Sequence, residues 1–396
     1  MQLSRRGSSS TPRRRKASDS TDEWKDAVSV SLRHSLSAVS ACSVLLIAAC
    51  ASDASQRDGD AGTGGGVTFT DLRGTQLTLD EPASRIVTIP IPHAAMVIAL
   101  DGGTDRLAGM NPSSAKAIED GILGEFFPEA SEIPSDITDE SFAPNIETVA
   151  GLDPDLVLQW SDRGDEIVRP LENAGLTTAA LTSSTQDELE AALKMVGAAI
   201  GEDDRAERIL DWHDEVRREL AELDPPEQRP SVLYFHRMAE ELRVSGSDTY
   251  NDFYIELAGG TNAAAEITGR HVVEPEQVAA WDPDVILVGS FDDATVDDVA
   301  EHPAWRELTA VTERRVYQVP LGGYRWDPPS HESPLMWQWL AQLLHPDGID
   351  VDLPEQIREH YDFLYDQQAV SDEQIREILR AELNAGTAGY DRVLRE

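Results

Sequence analysis

Two cysteines, Cys42 and Cys50, are all that the 396 residues contain, so a disulfide framework and a metal site built on thiolates are both excluded. Long apolar runs are missing as well. No stretch reaches the roughly 18 uncharged apolar residues expected of a membrane-spanning helix. Positive charge is scarce: 33 Lys and Arg stand against 73 Asp and Glu, a formal net charge of −40 at neutral pH. Such a chain repels polyanions and lacks the basic stripe that nucleic-acid binding needs to displace counterions. Catalytic signatures are absent too, since neither Gly-x-Ser-x-Gly, His-Glu-x-x-His nor the P-loop pattern occurs. The carboxylates are too numerous for any pair to stand out as an acid and base. A protein that binds rather than catalyses is expected, with a surface-anchored metal-dependent hydrolase as the weaker alternative.

What is present begins with an export pattern inside the chain. Arg33 and His34 precede a weakly apolar run from Leu36 to Ala49, short for a membrane span and suited to a signal. It ends in Ile47-Ala48-Ala49-Cys50, a lipobox, where small residues before a cysteine permit cleavage and lipid attachment to the thiol. Cys42 would leave with the signal, and Cys50 would carry a lipid anchor. Residues 1–29, with their block Arg13-Arg14-Arg15-Lys16, resemble no signal, which places the expected start downstream, near Val28 or Val30. From Ala51 to Gly66 the chain is Ser, Asp, Gly and Ala without periodicity, a flexible tether.

Beyond Val67, short apolar runs alternate with helical patterns: Arg85 to Ile89 then Ala94 to Leu100, and Leu156 to Leu158 then Asp165 to Ala174. This alternation predicts an α/β fold with largely parallel strands. An internal repeat divides it into two lobes. Residues 147–158 read Glu-Thr-Val-Ala-Gly-Leu-Asp-Pro-Asp-Leu-Val-Leu, and residues 276–287 read Glu-Gln-Val-Ala-Ala-Trp-Asp-Pro-Asp-Val-Ile-Leu. Each copy predicts a short helix, an Asp-Pro-Asp turn and a buried strand, because proline cannot continue the helix. Between them lie helical stretches from Gln186 to Ile200 and from Asp203 to Leu223; the second, at about 20 residues, would span about 30 Å as a strut between lobes.

These features, together with Arg85-Ile86-Val87, His302-Pro303-Ala304-Trp305, Val316-Tyr317 and Gly323-Tyr324-Arg325-Trp326-Asp327-Pro328-Pro329, resemble the class III substrate-binding lipoproteins that serve ABC importers of ferric siderophores, haem and cobalamin. The resemblance runs from about Val67 to Leu379. It implies two Rossmann-like α/β lobes joined by a long rigid helix, a ligand cleft between them, and a monomer anchored outside the membrane. The expected boundaries are 1–50 for leader and signal, 51–66 for the tether, 67–201 for the first lobe, 202–228 for the connecting helix, 229–346 for the second lobe and 347–396 for a C-terminal helical extension.

In that family one glutamate on each lobe reaches an arginine pocket on the permease, and the matching residues are Glu147 and Glu276, with Glu274 the competing assignment for the second. Each opens a helix, where the dipole alone favours a carboxylate by about 0.3–1 kcal/mol. For the cleft, the resemblance points to segments after the strands: His93, Phe142 and Trp160, with Arg163 beside it, on the first lobe; His236, Arg237, Tyr250, Arg270, His271, Tyr324, Arg325 and Trp326 on the second. Guanidinium groups and flat rings suit a large, anionic, partly aromatic ferric chelate. The iron is cargo; no resident cofactor is implied. His271 or Tyr324 could complete a chelated metal's coordination shell. Haem and cobalamin stay open as cargo, as does a bare divalent ion held by His93, His236, His271 and His331. Trp337 and Trp339, in an apolar run, read as core.

Overall fold

The computed structural model describes residues 66–139, 142–222, 229–239, 241–349, 351–367 and 369–395. The expected leader, the expected lipidation site Cys50 and all of the tether but Gly66 lie outside the described residues. A hairpin of β1 (Val67–Thr70) and β2 (Gln76–Leu79) opens the fold.

The short apolar runs of the first lobe become β3 (Ile86–Thr88), β4 (Leu107–Met110), β5 (Leu156–Trp160) and β6 (Thr178–Leu181), a wholly parallel sheet in the order β4-β3-β5-β6. Their side chains leave alternately to two faces: Ile86, Leu156 and Leu158 enter one apolar cluster, Val87 and Val157 another. Burial on both faces is why these strands read as continuous apolar runs rather than alternating ones. The helices are α1 (His93–Asp101), α2 (Pro112–Glu119), α3 (Leu123–Phe126), α4 (Ile146–Gly151), α5 (Asp165–Asn173) and α6 (Gln186–Ile200). The start of α6 is fixed by a capping box, Thr185 with Glu188, and its end by Gly201 in the left-handed region.

Next comes α7 (Asp203–Ala221), 19 residues long and therefore about 28 Å, packed against both α6 and the later helix α12. The second lobe holds β7 (Ser231–Arg237), β8 (Arg243–Ser245), α8 (Tyr250–Leu257), β9 (Thr261–Asn262), β10 (Arg270–Val272), α9 (Pro275–Trp281), β11 (Val285–Val288), α10 (Val296–Glu301), α11 (Thr309–Thr312), β12 (Val316–Gln318) and α12 (Ser333–Leu344). Its sheet runs β10-β8-β7-β11-β12, with β9 also on β7; β7, β11 and β12 are parallel, while β8 and β10 are antiparallel additions. The extension supplies α13 (Leu353–Tyr365), α14 (Asp372–Ile378) and α15 (Tyr390–Leu394).

The sequence repeat is a structural repeat down to single atoms. The first aspartate of each Asp-Pro-Asp turn takes a positive φ, 49° at Asp153 and 42° at Asp282. This left-handed step ends the helix and tips the chain into the strand. The last aspartate then fastens the start of the neighbouring strand: Asp155 accepts from the Ser84 and Arg85 amides at 2.8 and 2.9 Å, and Asp284 from the Ser231 amide at 2.7 Å.

One apolar cluster runs through both lobes and the extension, from Ile86 and Leu158 through Tyr234 and Leu287 to Tyr361 and Ile375. Helix α12 is buried along its whole length, because α7, α8, α13 and α15 all pack on it. Arg205 on α7 donates to the Ala99 carbonyl on α1 at 2.7 Å and to the Phe363 and Leu364 carbonyls on α13 at 2.7 and 2.9 Å. The lobes are thus joined by α7 and also by the extension. Trp337→Ala, which empties a fully buried site in α12, is expected to cost about 3–5 kcal/mol, read as a lower urea midpoint with an unchanged slope.

Candidate functional site

Ligand sites of parallel α/β sheets lie beyond the carboxyl ends of the strands, and in the second lobe three strand ends meet there. Strand β7 ends in His236 and Arg237, where a register shift between Phe235 and Arg237 re-aims the side chains. Strand β11 runs into Gly289-Ser290-Phe291, and the chain after β12 returns through Tyr324 and Arg325. The His236 and Phe291 rings lie 4.5 Å apart between centroids. The Arg325 guanidinium sits 5.3 Å from the Phe291 ring, and its Nε–H donates to the Ser290 carbonyl at 2.8 Å. Beneath them, buried Asp327 accepts from the Tyr234 hydroxyl at 2.7 Å and the Ser290 amide at 2.8 Å. Gly289 permits this floor, since a Cβ there would stand 2.6 Å from Tyr234 Oη and 2.7 Å from the Phe235 carbonyl.

Arginines act on this corner although the chain is strongly negative. Burial, and after it the charges of Arg270, Arg237 and Arg243, push the His236 imidazole down to about 3. Arg243 is paired with Glu241. Arg237, Arg270 and Arg325 form no ion pair among the described residues. On the first lobe, Trp160 ends β5, Phe142 meets it edge-on at 4.9 Å, and the exposed Arg163 lies over the Trp160 ring at 3.7 Å. Phe142 reaches this position through a positive φ of 64°.

Several residues expected at the ligand face are placed elsewhere. Trp326 is fully buried, its indole donating to Glu332 Oε2 at 2.7 Å. Tyr250 is buried under α12, where its hydroxyl donates to Ser333 Oγ at 2.9 Å and accepts from the Trp337 indole at 3.1 Å. His93 is enclosed at the start of α1, and burial pushes it down to about 3. Tyr324 is nearly buried too, and burial lifts its phenol to about 12. His271 is exposed on the edge strand β10, its Nε2 2.7 Å from the Thr268 carbonyl. His331 lies in the core against Tyr365. The four histidines are therefore scattered, and no group of three His, Cys, Asp or Glu able to hold an ion occurs among the described residues.

The repeated glutamates occupy equivalent places. Glu147 is the second residue of α4 and Glu276 the second of α9, both exposed. Glu274 is the cap of α9, matching Asn145 rather than Glu147.

The family model of the periplasmic binding proteins matches residues 138–321. A periplasmic solute-binding protein from Veillonella parvula superposes with a TM-score of 0.75 at 30% identity, covering 81% of this chain and 98% of that one. The chain belongs to this family. It is a solute-binding component of ABC importers, of an extracytoplasmic class, with no helix among the described residues long and apolar enough to cross a membrane. The binding protein is also similar to the molybdate-binding protein MolA of Haemophilus influenzae, 22% identical over 75% of this chain and 90% of that one. The Fe(3+)-citrate-binding protein YfmC of Bacillus subtilis is 28% identical over 44% of this chain and 56% of its own. Structural neighbours of the binding protein share its two-lobed α/β fold.

Sequence reasoning missed Ser290 and Phe291. The repeat contained the signal, because they follow β11 as Ser161 and Asp162 follow β5, next to the Trp160 and Arg163 that drew attention on the first lobe.

Proposed function

We propose that this binding protein captures an anionic metal chelate, a ferric siderophore of carboxylate or catecholate type, and delivers it to an ABC permease through Glu147 and Glu276. The observation that carries the reading is the set of arginines without ion pairs among the described residues, Arg163, Arg237, Arg270 and Arg325, on a chain of net charge −40. Guanidinium groups that no carboxylate holds in an ion pair keep donors and charge available to an anionic ligand. The flat rings of Phe142, Trp160 and Phe291 add apolar surface, which favours a bulky chelate over a small oxyanion. The relatives named for molybdate and ferric citrate both take anions, in keeping with this charge. A lipid on Cys50 would hold the protein at the extracytoplasmic face of the cell membrane, near its permease.

The test is tryptophan fluorescence of the chain from residue 51 onward, titrated with ferric citrate, a ferric tris-catecholate, haem, cobalamin and free zinc or manganese. Trp160, stacked under Arg163, is the expected reporter. Saturable, stoichiometric quenching by a ferric chelate is the expected result. A response to cobalamin alone or free metal alone would refute the anionic-chelate assignment, and turnover of any of these compounds would refute the binding role.

A further inference from the structure

We propose that Glu332 is a positioning residue for ligand capture: gripped by Tyr361 and Tyr365 of the C-terminal extension, its carboxyl fixes the Gly322-Gly323 backbone and so sets where Arg325 stands in the cleft. The inference rests on the reading of Arg325 as a ligand-binding side chain. Glu332 is fully buried, and four donors converge on it: the Gly323 amide at 3.1 Å, the Trp326 indole at 2.7 Å, the Tyr361 hydroxyl at 3.2 Å and the Tyr365 hydroxyl. The backbone lies so close that a Cβ on Gly322 would overlap Tyr361 Oη and Glu332 Oε2, and one on Gly323 would overlap Tyr365 Oη.

Displacement at Gly323 must be felt at Arg325. The segment closes on itself through a bridge between Leu321 and Arg325 and through the Gly322 amide donating to the Tyr324 carbonyl at 3.1 Å. The extension holds its near end as well, since the Leu321 amide donates to the Ile378 carbonyl of α14 at 2.9 Å. The first lobe meets the same assembly: Phe126 of α3 packs on the Tyr361 and Tyr365 rings at 6.1 and 6.3 Å. Gly121 backs onto the Gly322 carbonyl. Any shift of the first lobe on closure would therefore press on the two tyrosines and on this loop together.

Burial, opposed by the four hydrogen bonds, lifts the Glu332 carboxyl to about 7. Its protonated form has a place for the proton. Burial and the neighbouring His213 push His331 down to about 3, and its neutral Nε2 lies 2.6 Å from Tyr365 Oη. The Tyr365 hydroxyl can then donate to His331 and accept from Glu332, whereas the Gly323 and Trp326 N–H groups can only donate. Behind His331, its carbonyl meets His213 Nε2 at 3.1 Å, and His213 adjoins Gln186 and Glu190, the latter paired with Arg217.

The experiment is hydrogen exchange of the Leu321–Trp326 segment in the full chain without ligand, paired with ferric citrate affinity. The variants are Tyr361→Phe with Tyr365→Phe, Glu332→Gln, and Tyr390→Phe as control. Tyr390 is another buried tyrosine, whose hydroxyl donates to the Leu379 carbonyl and not to Glu332 or the Leu321–Trp326 segment. The double tyrosine variant is expected to speed loop exchange about tenfold, leave β7 and β11 unchanged, and weaken ferric citrate about tenfold. In the wild type, loop exchange corrected for intrinsic rates should step across roughly pH 6 to 8, and Glu332→Gln should remove the step. The proposal is overturned if the loop exchanges at the wild-type rate in the double variant, or speeds up only in proportion to global stability as in Tyr390→Phe. Wild-type protein that ignores ferric citrate would count against the proposed cargo, while the exchange measurements would still decide the role of Glu332.

Discussion

Uptake by cells carrying Glu147→Ala together with Glu276→Ala is expected to be abolished, with ligand affinity measured on the purified protein unchanged. Both carboxylates are exposed, sit at the second position of matching helices, and make no ion pair among the described residues. Removing them should therefore disturb neither the fold nor the cleft. Each charge-assisted contact with a permease arginine is worth about 1.5–3 kcal/mol when well formed. Two amount to about 3–6 kcal/mol, roughly two to four orders of magnitude in docking affinity. Each single variant should lose about half of that free energy. Glu274→Ala is the internal control: as the cap of α9 it stands where the first lobe has Asn145, and uptake should survive its loss. Affinity that falls in parallel with uptake, or a Glu274 effect larger than that of Glu276, would defeat the docking assignment.

The second large effect is expected in the cleft. Arg325→Ala should weaken an anionic chelate by about 1.5–3 kcal/mol, about ten- to 150-fold, and Arg270→Ala by a comparable amount. Arg325→Lys should recover only part of the loss. Its ammonium keeps the charge, but not the planar fork that donates to Ser290 with one nitrogen and leaves two for the ligand. Wild-type affinity should fall as salt rises, with a shallower slope in the Arg270 variant, because exposed charges are screened within about 8–10 Å at physiological ionic strength. Equal affinities of wild type and variants for every anionic chelate, measured by the same fluorescence titration, would remove the arginines from the site.

How far the site could be read from the chain differs residue by residue. Arg325 and His236 were legible because each follows a recognisable strand, and strand ends carry ligand sites in this architecture. Trp326, one residue beyond Arg325, leaves the backbone on the opposite side and enters the core, where its indole meets a buried carboxyl. Adjacent side chains of this bent loop diverge, but which of them faces the ligand depends on what packs behind the loop. Tyr250 and His93 are enclosed for the same reason: a polar aromatic side chain near a strand or helix end serves a cleft or a core equally well, and burial depends on the neighbouring α12 and the start of α1. Phe291 had a signal in the repeat. Glu332 had none, for a carboxylate among 73 is conspicuous only when it is the one from which water is excluded.

By itself the sequence determined the class of fold and its two-fold internal plan. Alternating apolar runs and helical periods, and the paired Asp-Pro-Asp turns, are local properties of the chain that hold whatever packs against them. The low count of basic side chains likewise set the expectation against a nucleic-acid surface on composition alone. Only the tertiary structure decided which side chains share a space. Arg325, Phe291 and His236 come from three separate strand ends, and Glu332 is reached by tyrosines about thirty residues away. Such meetings are set by how the second-lobe sheet twists and how the extension packs across both lobes, and burial, which fixes the charge and donors of each group, exists only after that packing.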